Sequence, residues 1–257
     1  MSNKIQDQLQ GWAAKYVPIF NDLSERTQTD YYTQSPLNEV KSDIDLMIVG
    51  INPKGHKKTG AKNCSTESFL KGNDKWQERF INKWKIVEGA HHFLGYDKNY
   101  HPKSIDDDKK TVWTNISPFQ SNNGFNDLPK IVIKDSIECL MLLISILKPK
   151  RIVLLSSKAF DVFDKYASDE IKRNIEHVKV LDNWDLQIGR IQNISTVCVN
   201  HPSGRWPISN SFISIFIFLY FLIDEIDNGK PLKKLSEVRN KMIDQLYACQ
   251  LKMDIKK

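Results

Sequence analysis

The chain has 257 residues, 40% of them hydrophobic and 26% charged, with 37 Lys/Arg against 31 Asp/Glu for a formal net charge of +6. That length suits one large α/β domain with its own core, and the composition excludes disorder, collagen and coiled coil. The four cysteines, Cys64, Cys139, Cys198 and Cys249, form no CxxC pair, so a disulfide framework, a zinc ribbon and an iron–sulfur site lack support and a reducing cytoplasm is the expected setting.

The N-terminal MSNKIQDQLQGW is polar and lacks the apolar core of a secretory leader. Asp45–Val49 (DLMIV) is apolar at successive positions, which predicts a strand covered on both faces, as in a parallel sheet. Trp76, Phe80, Ile81, Trp84 and Val87 then keep a three-to-four spacing that predicts a helix. Gly95–Lys110, with its Asp106–Asp108 run, reads as a solvated loop. Thr111–Asn115 (TVWTN) is the second strand. Leu140, Leu143, Ile144 and Leu147 mark a helix stopped by Pro149, and Arg151–Leu155 (RIVLL) is the third strand. Phe160, Phe163 and Ile171 suggest another helix. Val178–Ile191 reads as an extra hairpin around Asn183, and Thr196–Val199 (TVCV) as the fourth strand.

A buried helix capped at Ser209 or Asn210 runs to Ile226. It contains the longest apolar run, Phe212–Ile223, whose 12 residues are interrupted by Ser214; a membrane span needs about 20. The final helix, 231–254, carries Leu232, Leu235, Val238, Met242, Leu246 and Cys249 on one stripe. From Lys230 to Lys257 there are eight basic and three acidic residues, a local +5, which reads first as a solvated helix face. The order β-α-β-α-β-α-β-α predicts a single domain over 1–257. Its form is a three-layer α/β/α sandwich around a four-stranded, mainly parallel sheet, with the core at about 43–227 and the C-terminal helix added to it.

In such a fold ligands bind beyond the carboxyl ends of the strands. Strand one runs into Gly50-Ile51-Asn52-Pro53-Lys54-Gly55 and strand two into Asn115-Ile116-Ser117-Pro118-Phe119. Strand three runs into Ser156-Ser157, and strand four into Asn200-His201-Pro202-Ser203-Gly204-Arg205-Trp206. Pro restricts these loops and Gly admits a close ligand. Two carboxamides, Asn52 and Asn115, and the imidazole of His201 would meet at one rim. Together they offer donors and acceptors to a planar, amide-like ligand such as a nucleobase.

GINPKG, TNISPF and HPSGRW, in this order and at strand ends, resemble the motifs of the uracil-DNA glycosylase superfamily. The mismatch-specific and single-strand-selective monofunctional branches are the most similar, and the resemblance covers roughly Asp45 to Ile226. It implies a monofunctional DNA glycosylase of base excision repair that flips uracil or a related damaged pyrimidine out of the stack and hydrolyses its N-glycosidic bond. By that resemblance Asn52 positions the attacking water and His201 stabilises the leaving base. Asn115 reads the edge of the pyrimidine, and Gly50, Ile51 and Pro53 line the pocket. Phe69, seventeen residues past Asn52, or Phe125 stacks on the base. Ser203 and Gly204 pinch the DNA backbone, Arg205 and Trp206 enter the vacated stack, and Lys54, Lys57 and Lys58 track phosphates. No metal or cofactor is implied. The partner is DNA, single- or double-stranded, containing uracil or a modified pyrimidine; a monomer is the default and no membrane is involved.

Lys54 stands where that family usually has a glycine. Asn52 cannot act as a carboxylate base, so a slower chemical step is expected. These departures favour an alternative: a catalytically weak or inactive nucleic-acid or modified-base binder of the same fold. A protein-interaction domain is a third reading. Bland roles compete residue by residue. Asn52 and Asn115 could serve as turn asparagines and His201 as a turn cap, and Cys198 as a buried thiol rather than a nucleophile. His91, His92 and His101 could bind a metal, but no carboxylate spacing supports it.

Overall fold

In the computed structural model, the described residues are 2–53 apart from 39, 41–43 and 45, then 63–72, 111–121, and 125–199 apart from 157–158, 168–170 and 182–183. The first element is a helix, α1 (Ser2–Thr27), which the polar character of the N-terminus conceals. Its apolar residues nonetheless recur every three to four positions. Leu9, Trp12, Ala13, Tyr16, Val17, Phe20 and Leu23 are all buried, the stripe of a core-facing helix. The helix ends at Gln28, whose φ of 50° is left-handed. The core therefore begins at α1, earlier than residue 43.

Among the described residues three further α-helices follow: α2 (Thr66–Lys71), α3 (Lys130–Leu147) and α4 (Ala159–Tyr166). Ser65 caps α2 in a reciprocal capping box with Ser68, which satisfies donors that the first turn leaves open. Helix α3 starts well before the Leu140–Leu147 stripe, directly after Pro129. It closes on Lys148 with φ 43°, whose N–H donates to the Ile144 carbonyl at 2.8 Å. Trp12 Nε1 donates to the Cys139 carbonyl at 2.9 Å and ties α1 to α3.

The strands are β1 (Leu46–Gly50), β2 (Thr111–Asn115), β3 (Arg151–Leu155), β4 (Ile171–Leu181), β5 (Trp184–Ile191) and β6 (Ile194–Val199). They form one six-stranded sheet in the order β2-β1-β3-β6-β5-β4. The four strands expected from apolar runs are its parallel part, β2-β1-β3-β6. The sheet has six strands rather than four because the Val178–Ile191 hairpin joins it as β4 and β5, both pairs antiparallel. Ile171 opens β4 and does not belong to a helix. A two-residue turn links β5 to β6, with φ 50° at Gln192 and 67° at Asn193, as tight hairpins require.

Side chains alternate across the strands. Met47, Val49, Val112, Ile152, Leu154 and Cys198 join one core cluster with residues of α1, α2, α3 and α4. On the other face Leu46, Ile48, Trp113, Val153 and Leu155 are buried as well, so the sheet is covered on both sides and the fold is α/β. Among the described residues no helix is long and apolar enough to cross a membrane. The helices expected over Trp76–Val87, from Ser209 or Asn210 to Ile226, and over 231–254 lie outside the described residues, as does the Gly95–Lys110 loop.

Candidate functional site

Strand β1 lies inside the sheet with β2 on one side and β3 on the other. The chain thus changes direction across the sheet at β1, the place where open α/β sheets bind ligands beyond their carboxyl ends. Gly50, Asn115, Leu155 and Val199 close the four parallel strands at this one edge.

The loops after β1 and β2 stay zipped together once the strands end. Ile116 N donates to the Gly50 carbonyl at 2.8 Å, Ser117 N to Ile51 O at 2.9 Å, and Ser121 N to Pro53 O at 3.1 Å. The β2 loop is supported from behind. Ser117 Oγ lies 3.1 Å from Ser136 Oγ of α3 and accepts from Phe119 N at 3.2 Å. Tyr32 N donates to Pro118 O at 2.9 Å, and Gln120 N to Asp30 O at 3.2 Å. Phe119 packs edge-on to Phe20 of α1 at 5.5 Å and against Tyr31, also at 5.5 Å. A loop held this way is preorganised.

On this frame the amide of Asn52 is turned one way. Its Nδ2 donates to Ser121 Oγ at 2.9 Å and to Pro53 O at 3.1 Å, with a longer contact to Phe119 O at 3.5 Å. Two of these partners are carbonyls, which only accept, so the nitrogen end must face them. Oδ1 makes no hydrogen bond with any described residue. Asn52 is half-buried, placed to accept from a ligand or a water.

Asn115 ends β2 beside Gly50 in the ladder. It is 8% exposed, and its side-chain amide makes no hydrogen bond with a described residue. Gly50 is what admits it: a Cβ on Gly50 would lie 2.3 Å from Asn115 Oδ1. Gly50, Ile51 and Pro53 are half-buried around this point. The structure thus brings together Gly50, Ile51, Asn52, Pro53 and Asn115. The segments 50–53 and 115–121 contain no Asp or Glu, so neither supplies a carboxylate base.

Phe69 is elsewhere. It is 2% exposed on α2, with its ring 5.0 Å from Trp12, 6.1 Å from Phe20 and 6.3 Å from Tyr31. Aromatic packing occupies the ring, which makes Phe69 a core residue rather than a stacking platform for a base. Phe125 is also buried in the core cluster. Lys54, Lys57, Lys58, His201, Ser203, Gly204, Arg205 and Trp206 lie outside the described residues. Reasoning from the sequence missed Ser121, one position past Gln120 in the same loop; a serine that meets an asparagine 69 residues away leaves no local pattern.

Two of the buried thiols, Cys139 and Cys198, are chemically quiet. Burial pushes Cys198 up to about 12, against opposing hydrogen bonds from Ala159, Phe160 and Ser156, and its Sγ contacts the Ser156 carbonyl. Burial likewise raises Cys139 well above the usual thiol range. Neither is a nucleophile near neutral pH. Among the described residues no group of three or more His, Cys, Asp or Glu could hold a metal. A separate open cleft of about 460 Å³ lies between α1, α3 and α4, lined by Lys15, Tyr16, Glu138, Met141, Ser145 and Tyr166 among others. It shares no residue with the Asn52 site.

The fold and this rim define an α/β protein with a paired-loop site at the switch of its sheet. No protein-family model matches the chain, and no curated protein matches it.

Proposed function

We propose that the protein is a monofunctional DNA glycosylase of base excision repair, hydrolysing the N-glycosidic bond of uracil or a related damaged pyrimidine in single- or double-stranded DNA. The observation that carries this reading is the Asn52 amide, whose nitrogen is held at 2.9 Å by Ser121 and whose oxygen makes no hydrogen bond with any described residue. A carbonyl oxygen so fixed can accept a hydrogen bond from a water and aim that water without taking its proton outright.

In the proposed reaction the target nucleotide leaves the stack, since its glycosidic bond is out of reach within a duplex. Asn115 pairs with the polar edge of the base. Asn52 Oδ1 holds a water against C1′ of the sugar. As the C–N bond breaks, its electron pair leaves with the pyrimidine, and His201 donates a hydrogen bond to the base oxygen where that charge collects. The water oxygen bonds to C1′, its proton passes to the departing base or to solvent, and an abasic site remains. Gly50, Ile51 and Pro53 wall the pocket. Ser203 and Gly204 hold the backbone, Arg205 and Trp206 fill the vacated stack, and Lys54, Lys57 and Lys58 meet phosphates. The chain acts as a cytoplasmic monomer on DNA and needs neither metal nor cofactor.

A second reading is favoured by the absence of any carboxylate from the loop segments 50–53 and 115–121: a binder of nucleic acid or of a modified base, with the pocket retained and the chemistry weak or lost.

The two readings part in an alkali-incision assay on oligonucleotides carrying one uracil, single-stranded or opposite G or A. The glycosylase reading expects cleavage by wild type that collapses in Asn52→Ala and in His201→Ala. No cleavage at high enzyme and low salt, with retained affinity for the same strands, would establish the binder instead.

A further inference from the structure

We propose that Ser121 is a positioning residue: the Pro53 and Phe119 carbonyls fix which end of the Asn52 amide faces the reaction, and the Ser121 hydroxyl holds the amide there. This inference rests on the glycosylase reading of the site. The two ends of a carboxamide are nearly equal in shape and opposite in hydrogen-bonding sense, so an asparagine that must accept from a water needs its nitrogen turned away. Three acceptors surround that nitrogen. Pro53 O belongs to the adjacent residue and moves with it, and Phe119 O is at 3.5 Å, the limit of a hydrogen bond. Ser121 Oγ is the short contact, at 2.9 Å, and it comes from the other loop.

Ser121 is itself fixed. Its backbone N donates to Pro53 O at 3.1 Å, and two residues earlier the Phe119 ring is clamped between Phe20 and Tyr31. The hydroxyl therefore stands at a defined point opposite Asn52, and α1 carries the loop that places it. A serine is suited to this task because its hydroxyl, on a single-carbon stem, accepts from the Asn52 nitrogen at a fixed point. Replacing it by alanine removes the hydroxyl and leaves the Ser121 N to Pro53 O bond in place, so the loop keeps its backbone pairing.

The test compares wild type, Ser121→Ala and Ser121→Thr on a uracil-containing single strand, together with NMR measurement of proton exchange at the Asn52 side-chain NH2. In Ser121→Ala, kcat falls about tenfold with KM little changed, the loss expected for one hydrogen bond that orients a reacting group. Exchange at the Asn52 NH2 quickens in the same variant. Threonine, which keeps the hydroxyl, restores both, and the melting temperature of all three proteins stays similar. Unchanged exchange in Ser121→Ala overturns the proposal, whatever kcat does. So does unchanged kcat in an active protein, or a loss that threonine fails to restore. If wild type excises no base at all, the glycosylase reading fails separately, and the exchange measurement alone decides whether Ser121 holds the amide.

Discussion

A Cβ on Gly50 would lie 2.3 Å from Asn115 Oδ1, closer than two such atoms can approach, so the smallest substitution at Gly50 acts through its neighbour. Gly50→Ala must turn the Asn115 amide out of place, and because only the end of that side chain has to move, the stability cost should stay at or below about 1 kcal/mol. Urea denaturation measures that cost, and excision by the variant should fall further than by a comparable change at Ile51. Titration offers a second residue-scale prediction. Cys198, buried, is raised from the ordinary 9.0 to about 12. A thiol whose folded value lies above its unfolded one supplies stability that is complete below 9.0 and lost as pH rises through about 12. Melting temperature should therefore decline above pH 9 and hold steady between pH 7 and pH 8, with a shallower alkaline decline in Cys198→Ala. The chemical type of Asn52 and Asn115 was legible from strand-end motifs. Their orientation was not, because it depends on Ser121 and Gly50, which reach them through tertiary contacts.

At the scale of elements, α1 serves both stability and site. Phe20 is fully buried and touches Tyr16, Tyr31, Phe69 and Phe119. Phe20→Ala should cost about 3–5 kcal/mol by cavity formation, read as a lowered urea midpoint, and should loosen the Phe119 loop that carries Ser121. The parallel strands were readable because strands covered on both faces are unbroken apolar runs, as LMIVG and RIVLL show. Helix α1 was hidden for the opposite reason: it opens on a polar segment and its apolar residues are interrupted, and only a periodicity test over Leu9–Leu23 brings the stripe out. Phe69 was misplaced by spacing from Asn52, since counting along the chain does not report that α2 docks on α1. The hairpin of β4 and β5 was visible as a hairpin, but nothing local tells that it extends the main sheet.

For the whole molecule, the topology puts the ends of β1, β2, β3 and β6 along one edge. Residues separated by scores of positions in sequence are thereby delivered to a single rim, and the order of motifs along the chain needs no further device to bring their strands together. The net charge of +6 permits association with a polyanion but does not argue for it. Affinity for a uracil-free strand should fall steeply with salt, and replacing Lys54, Lys57 and Lys58 together by serine should flatten the log–log slope by about 2 to 3 if each lysine meets one phosphate. Fluorescence anisotropy over a salt series measures this.

The central claim is hydrolysis of a glycosidic bond at the Asn52 rim, and the mass of the DNA product tests it most directly. Wild type is incubated with a single strand bearing one uracil, and the strand is weighed by mass spectrometry before any alkali. The expected product is a full-length strand lacking only its base, formed by wild type and not by Asn52→Ala. An unchanged strand at high enzyme and low salt, or equal product from both proteins, would contradict the account.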